Sequence, residues 1–91
     1  MKCVTLDLTN IHTPRGMHAY IAYVMDFPAH YGRNLDALYD MLTEINKPTL
    51  LCIRRPAVLA PELQTYFPKM ARMLHDAQAE NGNLQVVVDI V

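Results

Sequence analysis

The chain begins with alternating apolar and polar residues, and this pattern from Lys2 to Leu8 predicts a β-strand. A nearly continuous apolar run from Thr49 to Ile53 is typical of a strand that is buried on both sides. A third strand is predicted from Leu84 to Val91, where three valines follow one another. Strands this far apart in the sequence are joined by long connections.

Within those connections the apolar residues recur at steps of three and four, which indicates amphipathic helices. The first helix should begin at Thr13-Pro14, because threonine suits the N-cap and proline the first helical position. It should end before Pro28. After the second strand, we expect a short helix around Pro61-Glu62-Leu63 and a longer one from Pro68 to Glu80.

The predicted order is strand, two helices, strand, two helices, strand. Connections of this length imply parallel strands joined by right-handed crossovers. Two crossovers that run the same way across the sheet place the helices on one face. The sequence therefore predicts an α/β fold, with a three-stranded parallel sheet in the order 1-2-3 and about four helices mostly on one face. Residues 1–91 are expected to form a single domain.

The segment His30 to Ile45 has the most unusual pattern in the chain. Its apolar stripe consists of Leu35, Leu38, Leu42 and Ile45, which predicts a helix packed on the core. Asn34 is well suited to cap this helix, and Gly32 can adopt a positive φ in the turn before it.

The other face of this helix is acidic. Asp36, Asp40 and Glu44 are spaced four residues apart, so they form one row opposite the leucines. No Lys or Arg lies between Asp36 and Asn46. Because like charges at this spacing destabilise a helix, the row has either a binding role or the bland role of a solvated face. Tyr39 beside the row is an aromatic side chain of the kind enriched at protein interfaces.

Composition and motifs limit the classes of partner, location and cofactor that this chain could have. A chain of 91 residues, 52% of them hydrophobic and with a net charge of −1, suits a compact globule and does not favour nucleic acid or anionic membranes as partners. The first ten residues contain no apolar run of signal-peptide length, so a cytoplasmic location is expected. Cys3 and Cys52 are predicted to be buried free thiols rather than a disulfide. No motif for a metal or another cofactor is present, and His12 and His18, whose spacing matches no metal motif, are expected to be surface histidines.

The acidic segment resembles the barstar family of inhibitors of the bacterial ribonuclease barnase. The resemblance rests on Pro28, Tyr31-Gly32, Asn34-Leu35-Asp36-Ala37-Leu38, Asp40 and Leu42-Thr43. It is specific in this segment and extends loosely over the whole chain through the spacing of the other elements.

The resemblance implies a barstar-like fold and a monomeric intracellular inhibitor, or immunity protein. Its partner would be an extracellular barnase-like ribonuclease with a cationic active site, and carboxylates would occupy places of RNA phosphates. The implied contact residues are His30, Tyr31, Gly32, Asn34, Leu35, Asp36, Tyr39, Asp40, Thr43 and Glu44. Asp76 on the last helix matches an acidic contact residue of the family, although a solvated helix charge is an equal alternative.

Several positions depart from the family pattern. His30 replaces a contact tyrosine, Tyr39 replaces a tryptophan, and Glu44 and Ile45 replace a glycine and an aromatic residue. Arg33 replaces an acid, which places a cation beside the binding turn. We expect Arg33 to meet a neutral or acidic region of a ribonuclease that differs from barnase.

Two further hypotheses remain open on the sequence alone. A barstar-fold adaptor that binds another basic partner without inhibiting a nuclease would need the same acidic face. An enzyme based on His30, Asp36 and Asp40 is disfavoured, because nothing in the sequence would desolvate these acids.

Overall fold

The computed structural model describes residues 1–91 and contains three strands and three helices. In chain order they are β1 (Lys2–Asp7), α1 (Pro14–Met25), α2 (Leu35–Thr43), β2 (Thr49–Arg55), α3 (Pro61–Glu80) and β3 (Leu84–Ile90). The strands pair in parallel in the order β1-β2-β3. The predicted sheet is therefore confirmed, and each strand lies where the apolar pattern placed it.

The helices cover one face of the sheet. Leu6 of β1 and Leu51 and Ile53 of β2 are buried on this face, in a core cluster of 17 residues. Side chains of the opposite face are exposed or half-buried, and they include Cys3 and Cys52. Both thiols are free as expected, but the prediction that they are buried was wrong. Strand alternation turns them away from the helices.

The start of α1 follows the predicted capping chemistry. The Oγ1 atom of Thr13 accepts a hydrogen bond from the backbone N–H of Gly16 at 2.9 Å, and Pro14 is the first helical residue. The helix ends at Met25, before Pro28, and Asp26 follows it in the left-handed conformation with φ of 55°. Met17 and Ile21 anchor α1 in the core.

The prediction of two helices between β2 and β3 was wrong, because α3 is continuous from Pro61 to Glu80. Pro68 lies inside it and has no N–H to donate to the carbonyl of Gln64. Pro68 is exposed, so water can reach that carbonyl. Phe67 and Met70 are buried on either side of the proline, so their packing holds the helix together across it. The fold thus has three helices rather than about four.

Candidate protein-binding surface

The predicted N-cap begins α2. The side-chain oxygen of Asn34 accepts a hydrogen bond from the backbone N–H of Ala37 at 2.7 Å, with Asn34 in the extended conformation. This bond satisfies one of the free donors in the first turn. The direction in which α2 leaves the preceding turn is therefore fixed at its first residue.

Gly32, in the turn before α2, does not have the role that the sequence predicted for it. Gly32 does not have a positive φ, whereas Arg33 does, at 55°. A Cβ atom on Gly32 would lie 3.2 Å from the Cβ of Ala37. Glycine is therefore favoured here because the turn approaches α2 closely, and the left-handed conformation falls on an arginine, where it is strained.

Behind the turn lies a buried polar cluster formed by three side chains. The Nδ1 atom of His18 is 2.7 Å from the Tyr31 hydroxyl, and its Nε2 atom is 2.6 Å from the Tyr66 hydroxyl. His18 is only 1% exposed, so the prediction that it is a surface histidine was wrong. The cluster joins α1, the turn and α3, and it holds the turn from behind.

Burial shifts the pKa values of the three side chains in this cluster. It lowers the pKa of His18, because an imidazolium would lose its hydration. Burial also raises the pKa of Tyr31 and of Tyr66. In the neutral imidazole one nitrogen donates and the other accepts, so one tyrosine hydroxyl accepts from His18 and the other donates to it. A protonated His18 would donate to both hydroxyls, and both tyrosine O–H groups would then need other acceptors.

The other end of α2 is held by a residue of α3's C-terminus. The Nδ2 atom of Asn81 donates to the carbonyl oxygens of Leu42 at 3.0 Å and of Ile45 at 2.9 Å. Its Oδ1 atom accepts from the backbone N–H of Asn83 at 3.0 Å. Asn81 is 9% exposed. The carbonyl of Leu42 in the last turn of α2 and that of Ile45 just after the helix therefore gain a distant side-chain donor.

Between these two fixed ends the acidic row is exposed. Asp36 and Asp40 lie on α2, and Glu44 is its C-cap residue; all three are exposed. No basic residue lies in the last turn of the helix. Only Asp36, in the first turn, is placed to gain from the helix dipole. The structure thus presents three carboxylates whose mutual repulsion is not offset within their own helix.

The other implied contact residues fall into three groups. His30, Gly32 and Asn34 are exposed, and Leu35, Tyr39 and Thr43 are half-buried. The Thr43 hydroxyl donates to the Tyr39 carbonyl at 2.9 Å, within the helix. Tyr31 differs from the rest because its side chain is only 7% exposed and belongs to the core. Its side chain supports the turn and offers little surface to a partner.

Asp76 is exposed on α3. It lies ten residues after Tyr66, so helical spacing separates the two side chains by about 80° around α3. Tyr66 in turn meets His18 and the turn before α2. Asp76 makes no hydrogen bond to α2, so its part in the acidic surface stays a prediction.

Two residues that hold this surface were missed from sequence. His18 lies three positions before Ile21, so helical spacing already placed it next to the apolar stripe of α1. Asn81 had a signal only as part of an Asn-Gly helix end. Its contacts with α2 span 36 and 39 residues, a distance that local pattern reasoning does not cover.

The fold and the surface define a small α/β protein that presents an exposed acidic helix on a rigid support. The family model described as Barstar (barnase inhibitor) matches residues 1–91. The chain therefore belongs to the barstar family.

A relative from Bacillus subtilis (strain 168), named "Putative ribonuclease inhibitor YrdF", is 30% identical over 81 residues. The match covers 88% of this chain and 89% of that protein. Family and relative together indicate a role like that of a barnase inhibitor. No helix of the structure has the length and apolar character needed to cross a membrane.

Proposed function

We propose that this chain is an intracellular immunity protein that blocks the active site of a barnase-like ribonuclease with α2 and the turn before it. The observation that carries this proposal is the exposed row of Asp36, Asp40 and Glu44 on a helix without a compensating cation. A ribonuclease binds the phosphates of RNA with positive charge. A fixed row of carboxylates is therefore complementary to its active site.

The proposed contact surface consists of His30, Gly32, Asn34, Leu35, Asp36, Tyr39, Asp40, Thr43 and Glu44, with Asp76 at its edge. Tyr31 acts from behind, through its bond to His18. The protein works in the cytoplasm as a monomer when free, and it binds neither nucleic acid nor membranes. Its target is a secreted enzyme, which it would neutralise before export.

The central test is the replacement of Asp40, for which stability and binding should change in opposite directions. Asp40 has Asp36 one turn before it and Glu44 one turn after it, so Asp40→Ala removes two like-charge pairs. Alanine is also the best helix former. We expect the free energy of unfolding to stay constant or rise by at most about 1 kcal/mol.

In the complex, the Asp40 carboxylate would be desolvated against cationic groups of the ribonuclease. Loss of one partner from such a buried charge pair costs about 2–5 kcal/mol, much of it from the charge left unpaired. Asp40→Ala should therefore weaken inhibition by roughly 30-fold or more. Asp36→Ala should also weaken inhibition but reduce stability, because Asp36 interacts favourably with the helix N-terminus.

The measurements are denaturant melts and inhibition titrations against barnase and other ribonucleases of its class. Asp89→Ala is the matched control, because Asp89 is an exposed acid on the sheet face that points away from the helices. If Asp40→Ala inhibits as well as the wild type, or unfolds the protein, the acidic row is not the binding element.

The alternative is a barstar-fold adaptor that binds a different basic protein. It uses the same acidic face, so the two functions differ only in the outcome for the ribonuclease. A wild-type chain that leaves every ribonuclease of the panel fully active would favour the adaptor.

A further inference from the structure

A groove of about 360 Å³ lies beside the proposed contact surface, and none of the three acidic-row residues lines it. Its walls come from the last two turns of α1 and from the turn before α2. The residues that line it are Ala19, Ala22, Tyr23, Asp26, Phe27, Pro28, Ala29, Tyr31 and Arg33. Because one wall is the proposed binding turn itself, a partner seated on α2 would extend over this groove.

Six of the nine residues that line the groove are hydrophobic, polar atoms contribute much of its surface, and it contains one charge of each sign. The alanines, Phe27 and Pro28 carry no polar side-chain group, and Phe27 packs on Tyr31 with ring centroids 4.9 Å apart. Tyr23 on α1 is 86% exposed, the largest exposure of any aromatic residue in the chain. Exposed aromatic side chains are enriched at protein interfaces.

The two charged residues of the groove come from different parts of the fold. Arg33 directly precedes the Asn34 cap of α2, whereas Asp26 also lines a second cavity near the first residues of β1 and β2. Both residues adopt φ of 55°, although neither is glycine. This conformation is tolerated by aspartate, but it is strained for arginine, and such strain tends to be retained at functional sites.

We propose that this groove is a specificity site for the ribonuclease, which inserts an apolar side chain between Tyr23 and Phe27 and places a carboxylate against Arg33. The proposal rests on the proposed inhibitory function. It follows from continuity with the binding turn and from charge complementarity. A partner that offers cations to Asp36 and Asp40 would be repelled by Arg33 unless it carries negative charge at that point. The change of sign from acidic row to Arg33 therefore fixes both the identity and the orientation of the partner.

The test uses the ribonuclease of the panel that the wild-type chain inhibits most strongly. Ala19→Trp fills the groove from an exposed helical position, and Arg33→Glu reverses the charge. Each should weaken inhibition of this enzyme by roughly tenfold or more, while melts stay near those of the wild type. Ala57→Trp is the control, since Ala57 is an exposed alanine between β2 and α3 that lies outside the groove.

A photo-crosslinking phenylalanine analogue at position 23 identifies the occupant. It should crosslink to a ribonuclease segment that carries an apolar residue next to an Asp or Glu, and the same analogue at the exposed Val58 should give no such product. If Ala19→Trp and Arg33→Glu inhibit like the wild type while Asp40→Ala does not, the groove proposal is wrong and the inhibitory function stands. If the wild-type chain inhibits no enzyme of the panel, both are overturned.

Discussion

Acid should destabilise this protein through one buried histidine. In the unfolded chain His18 has the ordinary pKa of about 6.5, and burial lowers the pKa in the folded state. Between these two values the unfolded chain binds more protons than the folded one, so stability rises with pH in that window. The contribution of neutral His18 is therefore complete above about pH 6.5 and is lost as the pH falls below it.

The contacts of His18 explain why its protonation is unfavourable in the folded protein. A charged imidazole would have to donate through both nitrogens, and both tyrosine hydroxyls would then need other acceptors. The groups that face the ring are the Tyr31 hydroxyl from the turn and the Tyr66 hydroxyl from α3. Neither carries a negative charge. The slope reaches at most about 1.4 kcal/mol per pH unit, at pH values where the unfolded chain is protonated at this position and the folded chain is not.

The assay is a series of denaturant melts from pH 5 to pH 8 on the wild type, His18→Gln and His75→Gln. At pH 7.5, His18→Gln should be less stable by about 1–3 kcal/mol, because its side chain cannot satisfy both tyrosine hydroxyls. It should also lose most of the slope below pH 6.5, so that its curve converges with that of the wild type in acid. His75 is exposed, and its variant should keep the slope. If the stability of His18→Gln still fell steeply below pH 6.5, the attribution of this pH dependence to His18 would be refuted.

Two further substitutions test how the chain holds its helices. Asn81→Ala should lower the free energy of unfolding by about 1–3 kcal/mol, because the carbonyls of Leu42 and Ile45 lose their side-chain donor. Denaturant melts would measure this loss, and Asn10→Ala at an exposed position should change stability little. Pro68→Ala should raise the free energy of unfolding by about 1–2 kcal/mol, because the new N–H at this exposed position can donate to the Gln64 carbonyl. This net gain already allows for the greater conformational freedom of the unfolded chain without the proline. A destabilised Pro68→Ala would mean that α3 depends on the proline in a way that its contacts do not explain.

The elements were predictable wherever local chemistry decides them. The Asn34 cap, the Thr13-Pro14 start of α1 and the three strands follow from side chains within a few residues of the structure they form. The exposed acidic row also follows, because helical spacing alone separates it from the leucines. These features depend on interactions that any window of about ten residues contains.

The failures share a different cause, since each depends on residues far apart in sequence. A proline ends a helix in isolation, but packing of Phe67 and Met70 carries α3 through Pro68. A histidine near a helix start is usually exposed, yet His18 is buried because Tyr31 and Tyr66, 13 and 48 residues away, satisfy both ring nitrogens. The contacts that support the proposed binding surface therefore could not be predicted from local pattern.

The proposed binding helix, α2, should depend entirely on the tertiary contacts made by His18 and Asn81. With nine residues, α2 is shorter than the roughly 12–15 that even good helix-forming sequences need in water, and its acidic row weakens it further. A synthetic peptide of residues 30–45 should show no helical circular dichroism near pH 7. It should also fail to inhibit a ribonuclease at concentrations where the whole protein saturates it, because the peptide must be ordered upon binding. A peptide that inhibits nearly as well as the protein would mean that the acidic sequence alone recognises the enzyme, and that the His18 and Asn81 contacts serve only the stability of the fold.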